Sequence, residues 1–167
     1  MASGLSGTQA KSRLYVLFKL GAERYALEAR EVAEVLGLCT LKRIPEAPPW
    51  VAGVLLRNQQ SIVVLDWVQR ATGTPAARVT STRIVLVDIA TGAKPFKRIG
   101  LILEQATDTL RADPAAFIDN QLPNQARYLG PVMQTERGMV QRLLLNNLLD
   151  QQVLDWLLVA AESCQHE

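Results

Sequence analysis

Short apolar runs recur along almost the whole chain, each closed by Gly, Pro, Asn or a polar cluster, and no long amphipathic helix separates one run from the next before the C-terminus. Parallel strands need a crossover of a dozen or more residues, usually a helix, so this spacing disfavours a βαβ sheet. It favours hairpins, and with them small antiparallel sheets or barrels.

Residues 14–20 (LYVLFKL) are aromatic and β-branched, and Gly21-Ala22-Glu23 separates them from Arg24-Tyr25-Ala26-Leu27, which predicts a hairpin. Ala29, Val32, Ala33 and Leu36 follow the spacing of one helical face and predict a short helix ended by Gly37. A strand over 40–44 is closed by Pro45 and Pro48-Pro49, which lack the N–H that a central strand must donate. Residues 51–56 and 62–65 flank a polar segment and predict a second hairpin. The polar stretch from Gln69 to Ser81 then reads as a crossover between two subunits of the fold.

Further strands are expected over 83–88, 98–104, 128–134 and 139–143, with a loop around Gly92 and Pro95 and a Thr/Asp/Pro-rich segment running to Asn124. A helix free of Gly and Pro is expected over 144–161. Leu145, Leu148, Leu149, Val153, Trp156, Leu157 and Ala160 form its broad apolar stripe. Residues 1–12 are small and polar and read as a loose tail, leaving a folded unit over 13–161 and a short tail over 162–167.

Composition narrows the function classes. The single histidine, His166, stands beside the C-terminus, so the folded body has no imidazole for a catalytic triad, a multi-His metal centre or phosphotransfer. Cys39 and Cys164 form no CxxC and are expected to be free thiols. The net charge of +2 is unclustered, which argues against nucleic acid as a partner. The longest apolar runs fall far short of a bilayer span of about 20 residues, so the protein is expected to be soluble and cytoplasmic.

Phosphate-cradling loops are missing: no GxxxxGK[ST] occurs and no GxGxxG follows a strand. Glu28, Glu31 and Glu34 read as the solvated side of the short helix, and Asp66 and Asp88 as turn formers. Ser61 lacks a nucleophile elbow. With no acid, base, nucleophile or cofactor cradle in combination, the chain reads as a binding protein that carries no cofactor, not as an enzyme.

The order YVLFKLGAERYALEAREVAEVL, RIPEAPPWVAGVLLRNQQSIVVLDW, RIVLVD, RIGLILEQATDTL, YLGPV and LLLNNLLD resembles the CheW-like family of chemosensory adaptors over about residues 14–158. The most specific parts are Leu20, Gly21, Tyr25, Val32 and Glu34, and the spacing from Ile44-Pro45 through Gly53-Val54 to Asp66. The resemblance implies a mainly β fold of two packed five-stranded SH3-like β-barrels with a short internal helix and a C-terminal helix. It also implies a scaffolding role without chemistry. The partners would be the regulatory domain of a CheA-type histidine kinase and the cytoplasmic tip of a methyl-accepting chemoreceptor, with recruitment to membrane-bound receptor arrays and no insertion into the membrane.

Where the family usually reads Asn-Leu-Arg-Gly, this chain has Leu56, Arg57, Asn58 and Gln59, and Val63 replaces a common proline. Asn58 is expected to take the left-handed turn conformation; the family's arginine has moved by one position or been lost, and with an unshifted register Arg57 points to the other face of its strand. This departure implies a specialised adaptor, of the kind serving type IV pili and twitching (the ChpC or PilI type). The candidate partner-binding residues are Val32, Glu34, Trp50, Arg57 and Asn58, with Trp50 the more exposed of the two tryptophans near the hairpin. The alternative function is a barrel that binds or sequesters another ligand or protein without kinase coupling.

Overall fold

The computed structural model describes residues 12–91, 94–119, 127–148 and Leu157, with side chains placed outside 90–96. β1 (Arg13–Leu20) and β2 (Glu23–Glu28) form the first hairpin, turned by Gly21 at φ 64°. A single 3-10 turn (Ala29–Glu31) leads to β3 (Val32–Gly37).

The short helix expected over 29–36 is therefore a turn and a strand. In β3 Val32, Glu34 and Leu36 are half-buried and Ala33, Val35 and Gly37 exposed, a period of two that the apolar spacing also accommodates. Pairing with β6 (Arg83–Thr91) supplies a ladder that a short isolated helix would lack, and the β-branched Val32 and Val35 suit it.

β4 (Val51–Arg57) and β5 (Gln60–Asp66) make the second hairpin. Its turn residues Asn58 and Gln59 have φ of 50° and 64°, the left-handed pair that matches the twist of flanking strands. The internal helix is α1 (Trp67–Thr72), not 29–36. Asp66 starts it: one carboxylate oxygen accepts from the Gln69 amide at 3.0 Å and the other from the Ala76 amide at 3.0 Å, and Gly73 at φ 79° ends it.

β7 (Lys94–Ala112) runs for 19 residues, absorbing the expected strand over 98–104 and the start of the segment read as loop. Its first half pairs with β6 and, in parallel, with β5; its second half pairs with β1. β8 (Leu129–Thr135) and β9 (Gly138–Leu143) form the last hairpin, and β9 lies parallel to β2.

Two five-stranded barrel-like units result, with β7 serving both. The first contains β3, β6, β7, β5 and β4 and is closed where Lys42 exchanges backbone hydrogen bonds with Val54 at 3.0 and 2.8 Å. That isolated bridge is all that forms of the strand expected over 40–44. The second contains β7, β1, β2, β9 and β8 and is closed by the Ile118–Val132 bridge at 2.7 and 2.9 Å. The crossover expected over 69–81 instead joins β5 to β6 within the first barrel. The chain changes barrel at the 3-10 turn after β2 and again inside β7.

Alternating side chains divide the core. Ile62, Val64, Ile84, Leu86 and Ile102 fill the first barrel, and Tyr15, Leu17, Ala26, Phe117, Met133 and Val140 the second. Between them lies the largest cluster, where Phe18, Leu20 and Leu27 meet Val63, Leu65, Val85, Leu101, Trp67, Leu143 and Leu157. Each such burial contributes about 1.5–3 kcal/mol, and neither barrel keeps that share alone. Of the helix expected over 144–161, a 3-10 turn (Leu145–Asn147) and the buried, helical Leu157 are described; Leu157 offers its carbonyl to Lys97 Nζ at 3.0 Å. The remaining positions lie outside the described residues, as do the tails over 1–11 and 162–167. Among the described residues no helix is long and apolar enough to cross a membrane.

Candidate functional site

β3 and β4 are the two strands of the first barrel that share no ladder among the described residues. Glu34 projects from β3 and Arg57 from the end of β4, and the guanidinium grips the carboxylate with two nitrogens: Nε donates to Oε2 at 2.8 Å and Nη2 donates to Oε1. Both side chains remain more than a third exposed, so the pair is a surface fork, not a buried bridge. The hydrogen bond from Arg57 holds the Glu34 carboxyl below its ordinary range, against a smaller opposing effect of desolvation.

A long side chain at the strand end reaches Glu34 across the gap between β3 and β4. Asn58 is exposed in the turn directly after it. Val32, two residues before Glu34 on β3, is half-buried against the central cluster. Val32, Glu34, Arg57 and Asn58 therefore share one region of the first barrel.

Trp50 does not join them. It precedes β4 at the end opposite Arg57, roughly 20 Å away along a strand of that length. It is half-buried on the central cluster, the Arg70 guanidinium lies 5.3 Å from its ring centroid, and its carbonyl accepts from the Asp66 amide at 2.7 Å. Trp67 is buried outright, so Trp50 is the more exposed of the two, but it anchors the proline loop to α1.

A second fork flanks the first. Arg98 on β7 donates from Nε and Nη2 to the two carboxylate oxygens of Asp88 on β6, at 2.8 and 3.0 Å, lowering the Asp88 pKa; the positive charge of Arg98 also acts on Glu34. Asp88 had read as a turn former, yet it sits within β6 directly opposite Arg98. Opposite charges ten residues apart, on either side of the Gly92–Pro95 segment, were the available signal.

Glu28 and Glu31 belong elsewhere. Glu28 is buried at the end of β2, where Arg30 Nε lies 2.8 Å, Arg142 Nη2 2.9 Å and Arg13 Nη1 3.1 Å from its carboxylate. Burial pushes the Glu31 carboxyl up despite Arg142 at 3.4 Å. These groups tie the passage between barrels to β9, where the expectation had been a solvated helix face. Among the described residues no three His, Cys, Asp or Glu side chains gather to hold a metal.

Two closed five-stranded barrels sharing one strand carry a sequence whose residues 14–153 match the family described as the CheW-like domain. The chain belongs to the CheW-like family. The CheW-like architecture is also that of the crystal structure of scaffolding protein TtCheW from Thermoanaerobacter tengcongensis. The likeness is one of fold: TM-score 0.72 and 21% identity, over 83% of this chain and 88% of that one. No curated protein matches the sequence. Arg57 engages Glu34 from the last position of β4, directly before the Asn58-Gln59 turn.

Proposed function

We propose that this CheW-like chain is a non-enzymatic chemosensory adaptor that joins the cytoplasmic tip of a methyl-accepting chemoreceptor to the regulatory domain of a CheA-type histidine kinase, at membrane-bound receptor arrays. The observation that carries this reading is the Glu34–Arg57 fork beside Val32 and Asn58, on the barrel positions that the family resemblance assigns to partners. Exposed charge next to half-buried apolar side chains suits an interface whose rim steers and whose centre excludes water. Among the described residues the carboxylates of Glu28, Glu34 and Asp88 are each held by arginine, which suits them to structure and contact.

The displaced arginine and the Asn58-Gln59 turn support service in a specialised pathway, the control of type IV pili and twitching. The decisive experiment titrates the full chain with a kinase regulatory domain and with a receptor-tip hairpin from a pilus-type and from a flagellar-type system. Micromolar binding to the pilus-type pair is expected. Absence of binding to every one of them at about 50 μM overturns the adaptor reading in favour of a barrel that engages another ligand.

A further inference from the structure

In the β1–β2 hairpin Lys19 stands directly opposite Arg24, so two cations occupy one face of the ladder. Like charges in that arrangement repel and destabilise the strand pair unless an anion lies between them. Among the described residues neither side chain is in an ion pair, although both are half-buried. Arg137, in the turn between β8 and β9, adds a third cation with no ion pair among the described residues.

These three line a cavity of about 240 Å³ together with Leu17, Phe18, Gln105 and Asp108. The cavity follows from an irregularity of β7. Between the pairs Lys19–Glu104 and Leu17–Asp108, β7 spends two more residues than β1, and Gln105 sits there at φ 50°. A glutamine in that left-handed conformation is strained, and the extra backbone opens the wall where β7 leaves one barrel for the other.

We propose that this cavity binds a small hydroxylated phosphate monoester. Lys19, Arg24 and Arg137 hold the phosphoryl dianion, Asp108 accepts from a hydroxyl, and Gln105 donates to or accepts from a second one. A phosphoryl group on a short carbon chain suits 240 Å³, below the usual range for larger ligands. The site lies on the second barrel, away from the Glu34–Arg57 fork, and does not depend on the adaptor reading.

The test is calorimetric titration of the full chain with glycerol 3-phosphate, inorganic phosphate and glycerol at constant ionic strength. Saturable binding of glycerol 3-phosphate is expected with a Kd of roughly 0.1–1 mM, weaker binding of inorganic phosphate, and none of glycerol. The Arg24→Gln/Arg137→Gln variant, with an unchanged melting temperature, is expected to bind at least tenfold more weakly. Asp108→Asn should strengthen inorganic phosphate while narrowing the preference for the hydroxylated ester. No saturable heat from the unmodified chain up to about 10 mM overturns the proposal. So does undiminished affinity in the folded double variant.

Discussion

Arg57 at the end of β4 donates two hydrogen bonds to Glu34 of β3 across the side of the first barrel where those strands share no ladder. An arginine fork does there what backbone pairing does between the neighbouring strands, and it leaves both charges accessible to a partner.

Replacing Glu34 by Lys sets two cations against each other at an exposed position. The melting temperature should stay nearly unchanged, while affinity for the kinase regulatory domain or the receptor tip falls roughly tenfold. Arg57→Ala is the companion. If both variants keep full affinity for both partners, the fork is not part of the contact surface.

The fork also has a pH signature. Arg57 lowers the Glu34 pKa from its ordinary 4.5, so the stabilisation is present above that value and is lost as pH falls through the lowered one. Carboxyl NMR of the unmodified chain should report a midpoint below 4.5, returning to the ordinary range in Arg57→Ala. An identical midpoint in the two proteins would contradict the fork in solution.

The Asn58-Gln59 turn places a non-glycine at φ 64°. Asparagine tolerates the left-handed region better than glutamine, so Gln59→Gly should raise stability by about 0.5–1 kcal/mol and Asn58→Gly by less. Urea unfolding followed by tryptophan fluorescence gives both numbers, and a lower midpoint for Gln59→Gly would refute the turn geometry.

Gly53 is the opposite case. A Cβ there would lie 2.5 Å from the Lys42 carbonyl oxygen, the group that accepts from the Val54 amide and closes the first barrel, and φ is 148°. Gly53→Ala should cost about 3 kcal/mol, whereas Gly73→Ala, at φ 79° with open space around it, should cost about 1 kcal/mol. Equal losses would mean that barrel closure contributes nothing beyond backbone strain.

The buried Glu28 and the half-buried Glu31 should differ in sign. Glu28→Gln leaves Arg142 short of its main counter-charge and should destabilise by about 3 kcal/mol. Glu31 has a raised pKa, so its contribution is full below its ordinary 4.5 and is lost as pH rises through the raised value. Glu31→Gln should therefore stabilise the protein at pH 7, with the gain vanishing in urea melts below pH 4.5. Destabilisation at pH 7 would show that the Arg142 contact outweighs desolvation.

Both N-terminal hairpins were legible because their strand pattern and turn chemistry lie within a few consecutive residues: Gly21 in one, Asn58 before Gln59 in the other. The capping role of Asp66 was half legible as a turn hydrogen bond, while α1 behind it was missed because its six residues are too few to show a helical period. Positions 29–36 misled for the converse reason. Their apolar spacing fits a helix, and only β6, some fifty residues later, makes them strand. The site was legible as residue identities but not as a constellation, since Trp50 was grouped with residues at the other end of its strand.

Local chemistry settled the mainly β class and the two N-terminal hairpins, because each depends on residue types and short spacings. Only the folded chain decided that β7 serves both barrels, that 69–81 stays within one of them, and that Arg57 meets Glu34. Those outcomes depend on which strand edges and charges come together across long stretches of sequence, where pairing energy is gained only after the loops have closed.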